Sequence, residues 1–325
     1  MQKLIVLFVI LFVGANCVLA KEESYTSTGC KSDDDACTPV GQWDFSLAIG
    51  LGSRTNPLYG GDDQPILVVP QISYYGERFF WQNLEAGFTF VDNKNHMLNA
   101  IGTVGLEQIY FDDWGLGNFS LEGSSGGNGA FVSGNTESPE PDFVPGMNVD
   151  NPGGDDNPED FGTPGGRDQE VVREVDIDDI QDRKIAFLAG LEYGFYSGNW
   201  HTNVQFLQDI SGVHDGQEVR VATGFNYLKG KHKYGFATGF AWQSKSLLNY
   251  YYGLDENDVS DDALLFDAES GVSPFVKLTW GYKLSDAWSL QATAHHKRFD
   301  SSLMESPIVE EKGVTTVFFG GSYHF

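Results

Sequence analysis

Three groups of residues in this chain have types and spacings suited to chemistry. His295 and His296 share a segment with Ser289 and Thr293. A hydroxyl, a histidine and an orienting acid within hydrogen-bond reach would cut or move acyl chains. No nucleophile motif accompanies this pair. Adjacent strand residues point to opposite faces, so one histidine lines the interior and the other faces outward. We therefore read them as polar lining and assign no catalytic residue. The second group is acidic. Asp150-Asn151-Pro152-Gly153-Gly154-Asp155-Asp156-Asn157 and Asp176-Ile177-Asp178-Asp179 are oxygen-rich runs of the kind that can hold calcium. They lack the spacing of an EF-hand loop. The expectation is a solvated acidic loop with no metal or cofactor; weak calcium binding at Asp150, Asp155, Asp156, Asp178 and Asp179 is the alternative. The third group is Cys30 and Cys37, which have no histidine nearby to support a metal site and are read as a disulfide.

The elements that hold these residues begin with an export segment. Lys3, the apolar run Leu4 to Val13 and Val18-Leu19-Ala20 have the layout of a secretory signal peptide, with cleavage expected after Ala20. Cys17 opens a lipoprotein alternative, but Asn16 stands before it where a lipobox wants a small residue. Export places the two remaining cysteines in an oxidising compartment. Residues 21–40 are polar and turn-rich and are read as a periplasmic N-terminal segment.

Past residue 20, no stretch approaches the ~20 apolar residues of a spanning helix. A membrane form must then be a closed barrel, because in lipid every backbone polar group needs a partner within the protein. Composition agrees: 39 glycines and 14% aromatics accompany an ordinary hydrophobic content. The net charge of −26 argues against nucleic acid, whose phosphates demand lysine and arginine. About half of that charge sits in one stretch, with 16 acidic and 2 basic residues from Glu122 to Asp182.

From Gln42 the chain becomes a series of period-two segments. Trp43, Phe45, Leu47, Ile49 and Leu51 share one face; Asp44, Ser46, Ala48 and Gly50 share the other. The same alternation recurs at Ile185 to Phe195, Val219 to Tyr227 and Tyr234 to Trp242. A soluble sandwich alternates in the same way. Segments longer than ten residues and aromatics near their ends favour tilted spanning strands. The alternation predicts twelve strands at 42–52, 64–75, 78–82, 84–92, 96–112, 183–197, 200–210, 218–229, 233–249, 272–284, 288–299 and 314–325. The fold class is therefore all-β, a transmembrane antiparallel up-and-down barrel over residues 41–325. Even-to-odd connections are tight and the long ones are odd-to-even, as in bacterial barrels with short periplasmic turns. This puts the acidic segment 113–182 outside the cell, where, in the calcium alternative, bound divalent ions would bridge to lipopolysaccharide. Inward Gly and Ala leave room for a pore, which Arg220, Glu192, Lys277 and Lys283 would fill if they form salt bridges. The last strand carries Phe319, Tyr323 and Phe325 on one face, and is similar to the signal read by the outer-membrane assembly machinery.

Pro57-Leu58-Tyr59-Gly60-Gly61-Asp62-Asp63, Val69 through Phe80 and Leu84-Glu85-Ala86-Gly87-Phe88 resemble the opening of MipA/OmpV proteins. Asn249-Tyr250-Tyr251-Tyr252-Gly253 resembles the family's tyrosine-rich segment before an outer loop, and Ser306-Pro307-Ile308-Val309 its C-terminal part. The likeness runs from about Gln42 to the end; the long acidic segment departs from it. It implies an outer-membrane, non-enzymatic scaffold that brings together a lytic transglycosylase and a murein synthase in the periplasm. A small-solute channel, or an adhesin acting through the acidic loop, remain the alternatives.

Overall fold

The computed structural model describes residues 41–111, 115–120 and 174–325. The Ala20 cleavage point, Cys30, Cys37, Asp150, Asp155 and Asp156 lie outside them. Twelve antiparallel strands form one closed barrel: β1 (Trp43–Arg54), β2 (Gln64–Tyr75), β3 (Phe79–Gln82), β4 (Glu85–Asp92), β5 (His96–Val104), β6 (Phe187–Ser197), β7 (Trp200–Asp209), β8 (Gln217–Lys229), β9 (His232–Gln243), β10 (Gly271–Lys283), β11 (Trp288–Arg298) and β12 (Gly313–His324). Each strand pairs with its sequence neighbours, and β12 closes on β1 from Ser46↔His324 to Arg54↔Thr316. Closure leaves no edge strand unpaired.

The alternation is inverted relative to a soluble protein. Leu51 is 76% exposed and Leu278 55%, while Lys297 is 1% and Arg54 2% exposed. Large apolar side chains cover the outside and polar ones fill the inside, as a lipid-embedded barrel requires. At one end the connections are the short ones, 76–78, 93–95, 198–199, 230–231 and 284–287. Aromatic pairs ring that end: Trp43 with Tyr74, Trp200 with Phe225 and Trp288 with Tyr323 have ring centroids 5.0–5.1 Å apart. Such belts sit at the membrane–water boundary, where the ring is apolar and its polar edge meets water. Along the β1–β12 seam, Gly50 faces Gly320. A Cβ on Gly50 would meet the Phe319 carbonyl oxygen at 2.3 Å and the inward Phe318 ring at 2.8 Å, so the seam needs glycine there.

Three boundaries differ from the sequence expectation. β5 stops at Val104 rather than residue 112, β9 at Gln243 rather than 249, and β6 starts at Phe187 rather than 183. After β5 the chain turns inward at a 3₁₀ turn, Glu107–Tyr110. After β9 it enters helix α1 (Lys245–Tyr252). Leu247, Leu248, Tyr251 and Tyr252 are all buried, at helical spacing on one face. Before β6, Arg183 donates to the Gly253 carbonyl and pairs with Asp258 at 3.0 Å. The residues beyond these strand ends thus gain more contact by packing across the barrel mouth than by lengthening its wall.

Candidate functional site

The long-loop end of the barrel is closed by two layers. The upper is a cap. Tyr251 and Tyr252 of α1 pack with Leu58 from the β1–β2 loop, Val175 and Ile180 from the chain leading to β6, and Leu303 and Ile308 from the β11–β12 loop. Backbone bonds join these loops: Tyr59 N–H to Ile308, Val175 N–H to Pro307 and Ile177 N–H to Tyr59. Gly253 ends α1, donating to Asn249, and the Tyr252 carbonyl accepts from the Ser306 hydroxyl at 2.6 Å.

Beneath the cap is a plug made of residues 105–111. Two of its carbonyls, which would be orphaned inside the barrel, are reached by Gln64 on the wall and Asn56 in the β1–β2 loop. Gln64 donates to Ile109, and Asn56 donates to Tyr110 at 2.9 Å. Glu107 is the plug's anchor. Its Oε1 accepts from Lys297 Nζ at 2.7 Å and Gln243 Nε2 at 2.8 Å, and its Oε2 accepts from the Tyr252 hydroxyl. Burial, and the Glu107 carboxylate beside it, hold the Tyr252 phenol well above its ordinary pKa, so it remains a donor. One buried carboxylate therefore ties the plug to β9, β11 and the cap.

The remaining lumen is polar. Glu192 accepts from Asn99, Asn203 and Gln205 at 2.7–2.8 Å, and Gln205 also donates to Glu85 at 3.0 Å. Arg220 pairs with Glu218 at 2.9 Å, and Lys283 with Asp286 at 3.0 Å beside the β10–β11 turn. Of the four expected lumen ions, Arg220 and Lys283 form ion pairs, Glu192 is held by amides, and Lys277 stands on the inner face in register with His295. His295 is buried and His296 exposed, as strand alternation required. His296 bonds the Thr315 hydroxyl at 2.9 Å on the outer face, so the two histidines do not share a site.

Asp178 and Asp179 sit exposed on a short 3₁₀ turn capped by Asp176. Among the described residues no group of three His, Cys, Asp or Glu side chains is placed to hold a metal. Phe319 points outward and is 56% exposed. Phe325 stands edge-on to Tyr323 at 4.9 Å, continuing the aromatic belt. Glu107, the residue that organises the mouth, was missed in the sequence. It lay inside an assumed strand, and a lone charge in an apolar run is the signal that could have found it.

His214, in the β7–β8 loop, props the cap from the side. Its ring lies 5.9 Å from that of Tyr251, and its Nδ1 accepts the Gly216 N–H at 2.9 Å. Asp209 is 3.8 Å away, but its carboxylate already accepts from Ser211 and from the backbone of His214 and Asp215. Burial therefore prevails over the nearby acids and holds the His214 pKa below its ordinary value. The unfolded loop takes up a proton at a higher pH than the folded one. The stabilisation is complete above the ordinary histidine value of about 6.5 and declines as pH falls below it. The protection of α1 amides, taken relative to their intrinsic exchange rate at each pH, should fall between about pH 6.5 and 5, and His214→Gln should flatten that dependence. An unchanged pH profile in the variant would remove His214 as the cause.

The chain is 24% identical to the MltA-interacting protein of Escherichia coli strain K12 over 86% of this chain and 90% of that protein. It is 26% identical to the outer membrane protein Omp26La of Vibrio anguillarum, over 45% of this chain and 57% of that one. An outer-membrane channel of Pseudomonas putida F1 aligns with a TM-score of 0.40 at 9% identity, covering 91% of this chain and 100% of that chain. Residues 49–325 match the family described as MltA-interacting protein MipA. With its closed twelve-stranded barrel and lipid-facing apolar exterior, the chain is an outer-membrane β-barrel that belongs to the MipA family.

Proposed function

We propose that this barrel is a non-enzymatic scaffold that binds cell-wall enzymes at its periplasmic end, rather than a solute channel. The observation that carries this reading is the double closure of the mouth. Arg54, Glu107, Gln243 and Lys297 lie across the outer lumen at 6% exposure or less, beneath a packed apolar cap. A channel needs a wet path at that level. The name of the Escherichia coli relative supplies the partner class, a lytic transglycosylase, with a murein synthase as the second partner that the family resemblance implies. The short-turn end would be the docking face. The purified barrel should show no steady conductance in a planar bilayer, and should retain the lytic transglycosylase of its own cell. Steady ohmic conductance without retention would favour the channel instead.

The aromatic end of β12 is proposed to be what the assembly machinery reads. Deleting Phe325 should lower outer-membrane yield several-fold. It should leave the unfolding of the assembled protein within about 0.5 kcal/mol of wild type, since the ring is exposed. Normal yield from the deletion would overturn this.

A further inference from the structure

The short-turn end carries one connection unlike the rest. Residues 226–234, around the β8–β9 turn, hold Lys229, Lys231 and Lys233 and no acidic residue, in a chain whose net charge is −26. Where the other short turns carry a cation, an acid stands close by. Arg78 follows Glu77, Lys94 lies two places after Asp92, and Lys283 pairs with Asp286 at 3.0 Å. Lys229 and Lys231 are exposed and, among the described residues, form no ion pair. Register sets Lys229 opposite His232, and His232 opposite Tyr282, in one row across β8, β9 and β10. The row lies on the outer face, in step with the exposed Tyr227 and Tyr234. Aromatic rings surround the imidazole. Its centroid is 4.7 Å from that of Tyr282 and 6.0–6.1 Å from those of Tyr234 and Trp280. Trp280 Nε1–H donates to His232 Nδ1 at 3.3 Å. That bond assigns the proton of the neutral ring to Nε2, and leaves the Nε2–H for a ligand. Two ammonium groups, an imidazole N–H and a set of rings therefore meet at the membrane–water boundary.

We propose that this row is a headgroup site for an anionic phospholipid. Lys229 and Lys231 supply the charge that attracts the lipid phosphate, and His232 Nε2–H donates to one of its oxygens. The rings of Tyr282, Tyr234 and Trp280 pack on the glycerol and the first carbons of the acyl chains. The lipid must carry net negative charge, because a zwitterionic headgroup brings an ammonium of its own, which the lysines repel. The site is on the outer wall, so it needs neither the closed mouth nor a protein partner at the short-turn end.

The test is native mass spectrometry of the full-length protein in a neutral detergent, with phosphatidylglycerol or phosphatidylethanolamine added. The protein should retain phosphatidylglycerol in preference to phosphatidylethanolamine. Lys229→Gln and Lys231→Gln should each weaken that retention about five-fold. His232→Phe, which keeps the ring contacts and removes the donor, should weaken it about three-fold. Arg78→Gln and Lys94→Gln, at other turns of the same rim, should leave it unchanged. Equal retention of the two lipids, or an equal loss from Lys94→Gln and Lys229→Gln, would overturn the proposal. So would displacement of the lipid by inorganic phosphate at an ionic strength where chloride does not displace it, which marks a free-anion site. If Lys229→Gln/Lys231→Gln keeps the lipid and loses the lytic transglycosylase, the turn docks protein: the lipid site fails and the scaffold reading stands.

Discussion

Lys297→Met should destabilise the long-loop half of the barrel by about 3–5 kcal/mol, because it leaves the Glu107 carboxylate buried without its cation. Glu107 and Lys297 are 2.7 Å apart, with side chains only 8% and 1% exposed. The double variant Glu107→Gln/Lys297→Met should recover most of that loss, since removing both charges also removes their desolvation cost. The loss should concentrate where Glu107 ties elements together. Amide protection should fall in residues 105–111 and in α1 before it falls in the strands. A bilayer recording should show conductance appearing in the single variant as the plug comes away. A single variant as stable as wild type, or a double variant worse than the single, would mean that the pair does not anchor the plug.

Leu278→Arg is the second large expected effect. Leu278 lies mid-strand in β10 and is 55% exposed. On a soluble protein, such a surface change would fall within about 0.5 kcal/mol of neutral. Near the bilayer midplane it should cost about 2–4 kcal/mol, and at the long-loop end of the same strand Val272→Arg should cost about 0–1. Unfolding in lipid vesicles measures both. Equal small costs at the two positions would mean that the apolar face does not meet lipid at these depths.

Strand count and the two faces of each strand were legible from alternation, the membrane setting from strand length and aromatic ends, and closure from the need to pair every backbone group in lipid. Leu47, Ile49 and Leu51 on one face against Ser46 and Ala48 on the other already specified which way β1 faces. His295 and His296 were separated by the same rule. The mouth was not legible. Residues 244–249 read as the end of a strand, since a short apolar run does not distinguish strand from helix. What decides is a cluster of partners more than fifty residues away, Leu58, Val175, Leu303 and Ile308, waiting to cover Tyr251 and Tyr252. Glu107 was obscure for the same reason. Its partners Lys297, Gln243 and Tyr252 are 136 to 190 positions distant, and no local pattern announces them.

The glycine-paired seam sets the timetable of folding. Every other strand pairing joins neighbours in sequence, and most of these can form as hairpins, on the scale of microseconds in isolation. The seam joins Gly50 to Gly320, so it carries the largest loop-closure cost and comes last. Until then, β1 and β12 are two unpaired edges, each able to recruit another copy. A side chain at Gly50 or Gly320 would lengthen that interval. The damage would then appear first as aggregate during synthesis, at concentrations where the assembled barrel itself still behaves normally.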